Sequence, residues 1–215
     1  MVVAIVVVLI VVLTGGDDDG GGASIDGKSA QAGLQATFDD SGDFTDGGFE
    51  QLNRCPLGRI DDLVEVSGAK LSDDALDADD ISGLASTDDA GLAFCVKTLD
   101  EPGDPDDGAS GISFVASADP PRNVERWVED FLTSDDSSDP ELGTAQNFAG
   151  GTIISGCTDL SCGAFWSDPD NDLAIGLQLE GEDLEASAAV DALKKVLPVI
   201  AANLAEEAPA DAEES

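Results

Sequence analysis

Apolar positions along this chain fall into three regimes, each predicting a different kind of element. Val2 to Leu13 is an unbroken apolar run, VVAIVVVLIVVL, ended by Thr14 and then GGDDDGGG. A run that is apolar on every face suits lipid or a translocon, whereas a soluble strand is shorter and alternates. From Gly15 to about Gly47 large apolar residues are sparse among Gly, Asp, Ser and Ala, which predicts a flexible stalk. From Gly48 to Leu204 apolar residues recur at regular periods, and the closing AEEAPADAEES is an acidic tail expected to be disordered. The predicted organisation is therefore a membrane anchor or signal segment at 1–14, a stalk at 15–47, a folded domain at 48–204 and a tail at 205–215.

Within the body, CPLGRIDDLVEVSG places Ile60, Leu63 and Val64 at helical spacing, with Gly68 positioned to end the helix. An acidic connector follows around Ser72 to Asp80. GLAFCVKTLD alternates Leu92, Phe94 and Val96 as a strand does, and GISFVASAD is a second strand across a Gly-, Pro- and Asp-rich loop. PPRNVERWVEDFL then sets Val124, Trp127, Val128, Phe131 and Leu132 on one helix face, with Pro121 suited to the first turn. Three strands follow in GTIISGC, CGAFWSD and DLAIGLQLEG, the last alternating Leu173, Ile175, Leu177 and Leu179. A final helix over Asp183 to Leu204 carries the stripe Leu193, Val196, Leu197, Ile200 and Leu204, with a kink expected at Pro198. The order α-β-β-α-β-β-β-α predicts an α+β fold, an antiparallel sheet of about five strands with helices packed on one face. Trp127 and Trp166 are expected as core anchors.

Four cysteines, Cys55, Cys95, Cys157 and Cys162, change the picture from packing alone to covalent staples. They permit three pairings. The short polar turn between Cys157 and Cys162 sits between two strands and favours a cross-hairpin bond, which leaves Cys55 with Cys95. Disulfides imply an oxidising compartment, consistent with a body outside the cytoplasm. The apolar run agrees: Asp17 to Asp19 follow it directly and the first basic residue is Lys28, a pattern that belongs to the translocated side. As a helix its 12 residues span about 18 Å of the ~30 Å hydrocarbon core. The expected single-pass anchor is therefore completed by residues encoded upstream. The alternatives are cleavage near Gly22 and Ala23, giving a secreted domain, or a buried core strand, and no cysteine lies near the run to serve as a lipoprotein site.

Charge and residue inventory then remove function classes. Nine Lys and Arg stand against 46 Asp and Glu, a net charge of -37, so nucleic acid and anionic lipid surfaces are disfavoured as partners. The same charge fits a salt-adapted, hydrated surface. With no His and no Tyr, Ser-His or Cys-His nucleophiles and phenolic acid-base chemistry are excluded, and the glycine runs lack the Lys of a phosphate loop. No enzyme activity and no cofactor are expected. Asp168, Asp170 and Asp172 have the 1, 3, 5 spacing of a calcium loop. Leu173 replaces its glycine and Leu179 its bidentate Glu, so they form only a weak metal candidate beside a plain hairpin turn.

Cys55 opening a short helix, Cys95 within GLAFCVKTL, the GAFW stretch with its hairpin into DLAIGLQLEG, and the Ala-rich last helix together resemble small secreted or lipid-anchored domains of actinobacterial cell envelopes. They are also loosely similar to the extracellular sensor domains of mycobacterial serine/threonine kinases. The resemblance spans Cys55 to Leu204 and implies a mixed α/β envelope domain with two disulfides and no catalytic residues. The function expected on these grounds is a membrane-tethered, non-catalytic module that binds or senses a ligand. A structural or accessory protein that meets a cationic protein partner is the alternative.

Overall fold

The computed structural model of the chain describes residues 25–41, 48–86, 91–99, 108–118, 124–133 and 138–209. The apolar run Val2 to Leu13 and the end of the acidic tail lie outside them. Among the described residues five helices and nine strands follow one another as α1 (Gly27–Ser41), β1 (Phe49–Gln51), α2 (Ile60–Ser67), the one-turn α3 (Asp73–Leu76), β2 (Asp80–Ser86), β3 (Gly91–Thr98) and β4 (Gly111–Ala118). Then come α4 (Val124–Leu132), β5 (Glu141–Leu142), β6 (Gln146–Phe148), β7 (Gly151–Cys157), β8 (Ser161–Asp168), β9 (Leu173–Glu180) and α5 (Ala186–Glu206).

All nine strands join one antiparallel sheet in the order β1-β2-β3-β4-β9-β8-β7-β5, with β6 also paired to β7. Two meanders, β1 to β4 and β7 to β9, meet where β4 pairs with β9 over eight positions, from Gly111↔Glu180 to Ala118↔Leu173. This register puts Ile112, Phe114 and Ala116 beside Leu179, Leu177 and Ile175 on one face. Cys95 of β3 and Ala164 and Trp166 of β8 continue the same rows. That face carries the main core. Helix α5 lies across β7, β8 and β9 and also packs against α1 and α2. It buries Leu193, Val196, Leu197, Ile200 and Leu204, and continues through Pro198. Trp166 is fully buried there and its Nε1 donates to the Phe148 carbonyl at 2.8 Å, which satisfies the indole in the core. The side chain of Trp127 is not among those described. Asn203 Nδ2 donates to the Leu57 carbonyl at 2.9 Å and Lys195 Nζ to the Ser67 carbonyl at 3.3 Å, fixing the segment before α2, and α2 itself, to α5.

The opposite face has a smaller core. Helix α4 lies over β7 and β8. Val128 and Leu132 are buried against Val115, Ile154 and Phe165, and Phe131 meets Phe165 edge-on at 5.1 Å between ring centroids.

The expectation of about five strands with helices on one face is corrected to nine strands with helices on both. Short β1, β5 and β6 hold two or three residues each, too few to show a period. Strand β2, DISGLAS, is Asp-, Ser- and Gly-rich and follows directly from the acidic connector. Alternation marks which face of a strand is buried, but one amphipathic stripe on α4 does not reveal which side of the sheet it will cover.

Residues 27–41, inside the expected stalk, form helix α1. The segment has no strong apolar stripe, but Ala30 and Leu34 are fully buried. Gly33 lets α1 approach α5 closely, since a Cβ there would collide with the Leu204 carbonyl. Leu34→Ala is expected to destabilise the domain by about 2–5 kcal/mol, the cost of truncating a buried leucine, measured by urea denaturation against the half-exposed Leu160→Ala. A stability change as small as that of Leu160→Ala would return this segment to a stalk.

Candidate functional site

The cysteines pair as the hairpin spacing suggests. Cys55 bonds Cys95, with Cα atoms 5.4 Å apart, and Cys157 bonds Cys162, with Cα atoms 4.1 Å apart at directly opposed positions of β7 and β8. The first closes a separation of 40 residues and ties the segment before α2 to the buried face of β3. Neither leaves a thiol for metal or redox chemistry. Two such bonds mark an extracellular domain, because cytosolic thiols are kept reduced. No described helix is long and apolar enough to cross a membrane.

The candidate calcium loop is taken up by local structure. Asp168 ends β8, is 8% exposed, and accepts from the Asp170 backbone N–H at 3.1 Å and from Asn171 Nδ2 at 2.7 Å. Its carboxylate thus organises the β8–β9 turn. Asp170 and Asp172 are exposed, and among the described residues no group of three carboxylates, cysteines or histidines is placed to hold a metal ion.

On the α2 side of β3 stands a buried cation. Lys97 is 6% exposed, and its Nζ meets Asp61 Oδ1 at 3.0 Å and Asp80 Oδ1 at 3.2 Å. Burial is the largest single influence and pushes the ammonium toward neutrality. The hydrogen bonds and charges of Asp61 and Asp80 together outweigh it, holding the Lys97 pKa above the ordinary lysine value of 10.5. The cluster pins α2 and β2 to β3. Its buried cation is thus already paired within the domain.

The face covered by α4 offers more. There α4 reaches over β7 and β8, and beside it the residues of β3, β4 and β9 form an open trough of about 240 Å³. Leu92, Phe94, Val96, Val115 and Phe131 make it apolar, while Ser113, Gln178 and Glu180 supply its polar atoms. Register explains the arrangement. Four cross-strand rows run over β3, β4 and β9: Thr98–Gly111–Glu180, Val96–Ser113–Gln178, Phe94–Val115–Gly176 and Leu92–Ser117–Ala174. Polarity is therefore graded along the strands. Glu180 stands at one end with its Oε2 held by the Thr98 hydroxyl at 2.6 Å. Gly111 between them makes that contact feasible, because a Cβ would lie 2.5 Å from Thr98 Oγ1 and 2.9 Å from Glu180 Oε2. The next row holds Ser113, 5% exposed, whose Oγ is buried without a hydrogen-bond partner. A native structure satisfies nearly all its buried polar atoms, so this hydroxyl needs a physical account. Beyond it the trough is purely aliphatic and aromatic. Phe49, 61% exposed, stacks on Phe94 at 5.7 Å and extends the apolar surface over β1, with Ile81, 45% exposed, beside it on β2.

None of these trough residues stands out in the sequence. The one available signal is the polar member of each apolar alternation: Ser113 in GISFVASA, and Gln178 and Glu180 in LAIGLQLE. Solvent-facing polar positions look identical until the sheet shows that α4 and β3 enclose them.

Fold and site together define a disulfide-stapled antiparallel sheet domain with an open trough on one face. The chain matches no known protein family, no curated protein and no solved structure.

The Lys97 cluster yields a pH dependence. A folded-state pKa above the unfolded one contributes stability in full below about pH 10.5 and loses it as pH rises through the folded value. The chain has no Tyr and its cysteines are paired, so lysines dominate the alkaline range. The unfolding free energy is expected to fall above about pH 10.5, and Lys97→Met should flatten that slope in urea titrations. Parallel slopes for the two proteins would mean that the cluster adds nothing to alkaline stability.

Proposed function

We propose that this domain is a non-catalytic ligand-binding or sensing module of the cell envelope, held at the membrane by its N-terminal apolar segment, with its ligand in the trough between α4 and β3. The observation that carries this is the Ser113 hydroxyl, buried and unpartnered in a largely apolar trough. Leaving a hydroxyl unpaired costs about 1–3 kcal/mol, a cost that makes sense where a ligand atom completes the bond. An apolar concavity with a few convergent polar groups is the general form of a small-molecule site. At about 240 Å³ the trough falls just under the roughly 300–1,000 Å³ of drug-sized pockets, so it suits a short chain or a single ring. Binding without turnover fits a trough whose lining offers no nucleophile–base pair: Glu180 is bonded to a threonine and Ser113 to nothing.

A second function is favoured by Phe49 and Ile81. These large apolar side chains are exposed next to the trough, and an accessory role would use them, with the acidic surface, to meet a cationic protein partner.

Ser113→Ala separates the site from ordinary packing. The variant should be more stable than the parent by about 1 kcal/mol in urea denaturation, because it deletes an unpaired hydroxyl. In a fragment screen read by backbone amide shifts, small apolar molecules bearing one hydrogen-bonding group should perturb residues 92–98, 111–115 and 176–180 together, and Ser113→Ala should weaken them. A less stable Ser113→Ala with no clustered shifts in the parent would end the ligand-binding proposal. Shifts confined to the strands of Phe49 and Ile81 on adding a basic protein would favour the accessory role.

A further inference from the structure

From the charge of the trough we infer its ligand class: an organic cation, an amine or quaternary ammonium group joined to a short apolar chain or ring. This rests on the trough being the ligand site. Glu180 is the one charged side chain in the described lining, and neither Lys nor Arg accompanies it there. Its Oε2 is fixed by Thr98 at 2.6 Å, so the carboxylate is already oriented before a ligand arrives. The two polar side chains in the next row, Ser113 and Gln178, can both accept hydrogen bonds through oxygen, as an ammonium group requires. One row further along are the apolar Phe94 and Val115, and Leu92 lies one row beyond them; Phe131 closes the side, and the two phenylalanines offer aromatic faces that tolerate a cation as well as hydrocarbon. Successive rows lie about 7 Å apart, two residues of antiparallel strand, so the distance from the Glu180 row to the Leu92 row is close to 20 Å. An anionic head is repelled twice, by Glu180 locally and by a surface of net charge -37. A neutral hydroxyl head would gain hydrogen bonds from Ser113 and the carboxylate but no charge–charge attraction.

The grading of the trough fixes the orientation: head at Glu180, tail toward Leu92. It also separates this proposal from diffuse attraction to an acidic protein. Diffuse attraction fades with salt, since the Debye length falls to about 3 Å at 1 M, whereas contact with one half-buried carboxylate persists.

The test uses three probes of equal chain length, octylammonium, octanol and octanoate, below their micellar concentrations and in 1 M NaCl, with the folded protein followed by amide shifts. Octylammonium should bind about tenfold tighter than octanol, and octanoate should not bind. Glu180→Gln keeps the bond to Thr98 and should reduce octylammonium to the octanol level, while the exposed neighbour change Glu182→Gln leaves the preference intact. Equal binding of octylammonium and octanol would overturn the cation preference and leave the trough as a ligand site. A preference that survives Glu180→Gln, or falls equally with Glu182→Gln, would assign it to the general field and overturn it as well. Binding by none of the three would remove both this inference and the site beneath it.

Discussion

The pairing of β4 with β9 is the contact on which the rest of the structure depends. Gly111 and Glu180 are opposed although far apart in sequence, and from that row the two meanders become one sheet. Closing so long a loop carries an entropic cost that local hairpins avoid, and the pairing offsets it by burying β4 throughout and β9 at every residue but Gln178 and Glu180. Its register is not negotiable. A slip of one residue would turn one of the two strands over, taking Phe114, or Ile175 and Leu177, away from α5 and putting Ser113, or Gln178, in the main core. The same constraint that builds the core therefore sets the polar row of the trough.

Unequal cover of the two faces follows from the connections. After β9 the chain has a long C-terminal helix, α5, and α1 and α2 pack beside it, so one face is closed from β3 to β7. Among the described residues the other face receives only nine-residue α4, on the path from β4 to β5, placed over β7 and β8. One helix is about 10 Å wide with its side chains, about two strand spacings of some 4.8 Å. It covers two strands and leaves β1 to β3 with apolar side chains in the open, Phe49, Ile81 and half-buried Leu92, Phe94 and Val96. The trough is the step between covered and uncovered sheet.

Sequence periodicity located what repeats and missed what is short or two-sided. Strands β3, β4, β7, β8 and β9 carry alternating or continuous apolar residues, and α2 and α5 carry clear stripes, so their positions were legible. Gly68, in a left-handed conformation with φ of 66°, ends α2 where the sequence placed its stop. Helix α1 was not legible because its burial needs only Ala30, Gly33 and Leu34, a small-residue contact that resembles linker composition. The side chosen by α4 was not legible because it is a property of topology. Within the site, Ser113 was hidden for a related reason: a serine in alternation reads as solvent-facing until another element covers that face. Cysteine pairing was legible because a hairpin fixes Cys157 beside Cys162 and leaves one partner for each of the others.

Scarcity of basic residues gives the carboxylates unequal roles. Lys97 is the one buried basic side chain among the described residues, and it spends its charge on Asp61 and Asp80 in holding α2 and β2 to β3. Elsewhere, acids pair weakly at the surface, as Arg54 does with Glu207 at 3.9 Å, where exposed contacts contribute little. Glu180 belongs to neither group. It is half-buried, oriented by a neutral threonine and faces a trough without a described cation. Half-burial against the sheet lowers the dielectric around it relative to bulk water, which strengthens attraction to a cation from outside. A sheet whose described helices leave half a face uncovered thus turns one of 46 acids from surface charge into a directed acceptor.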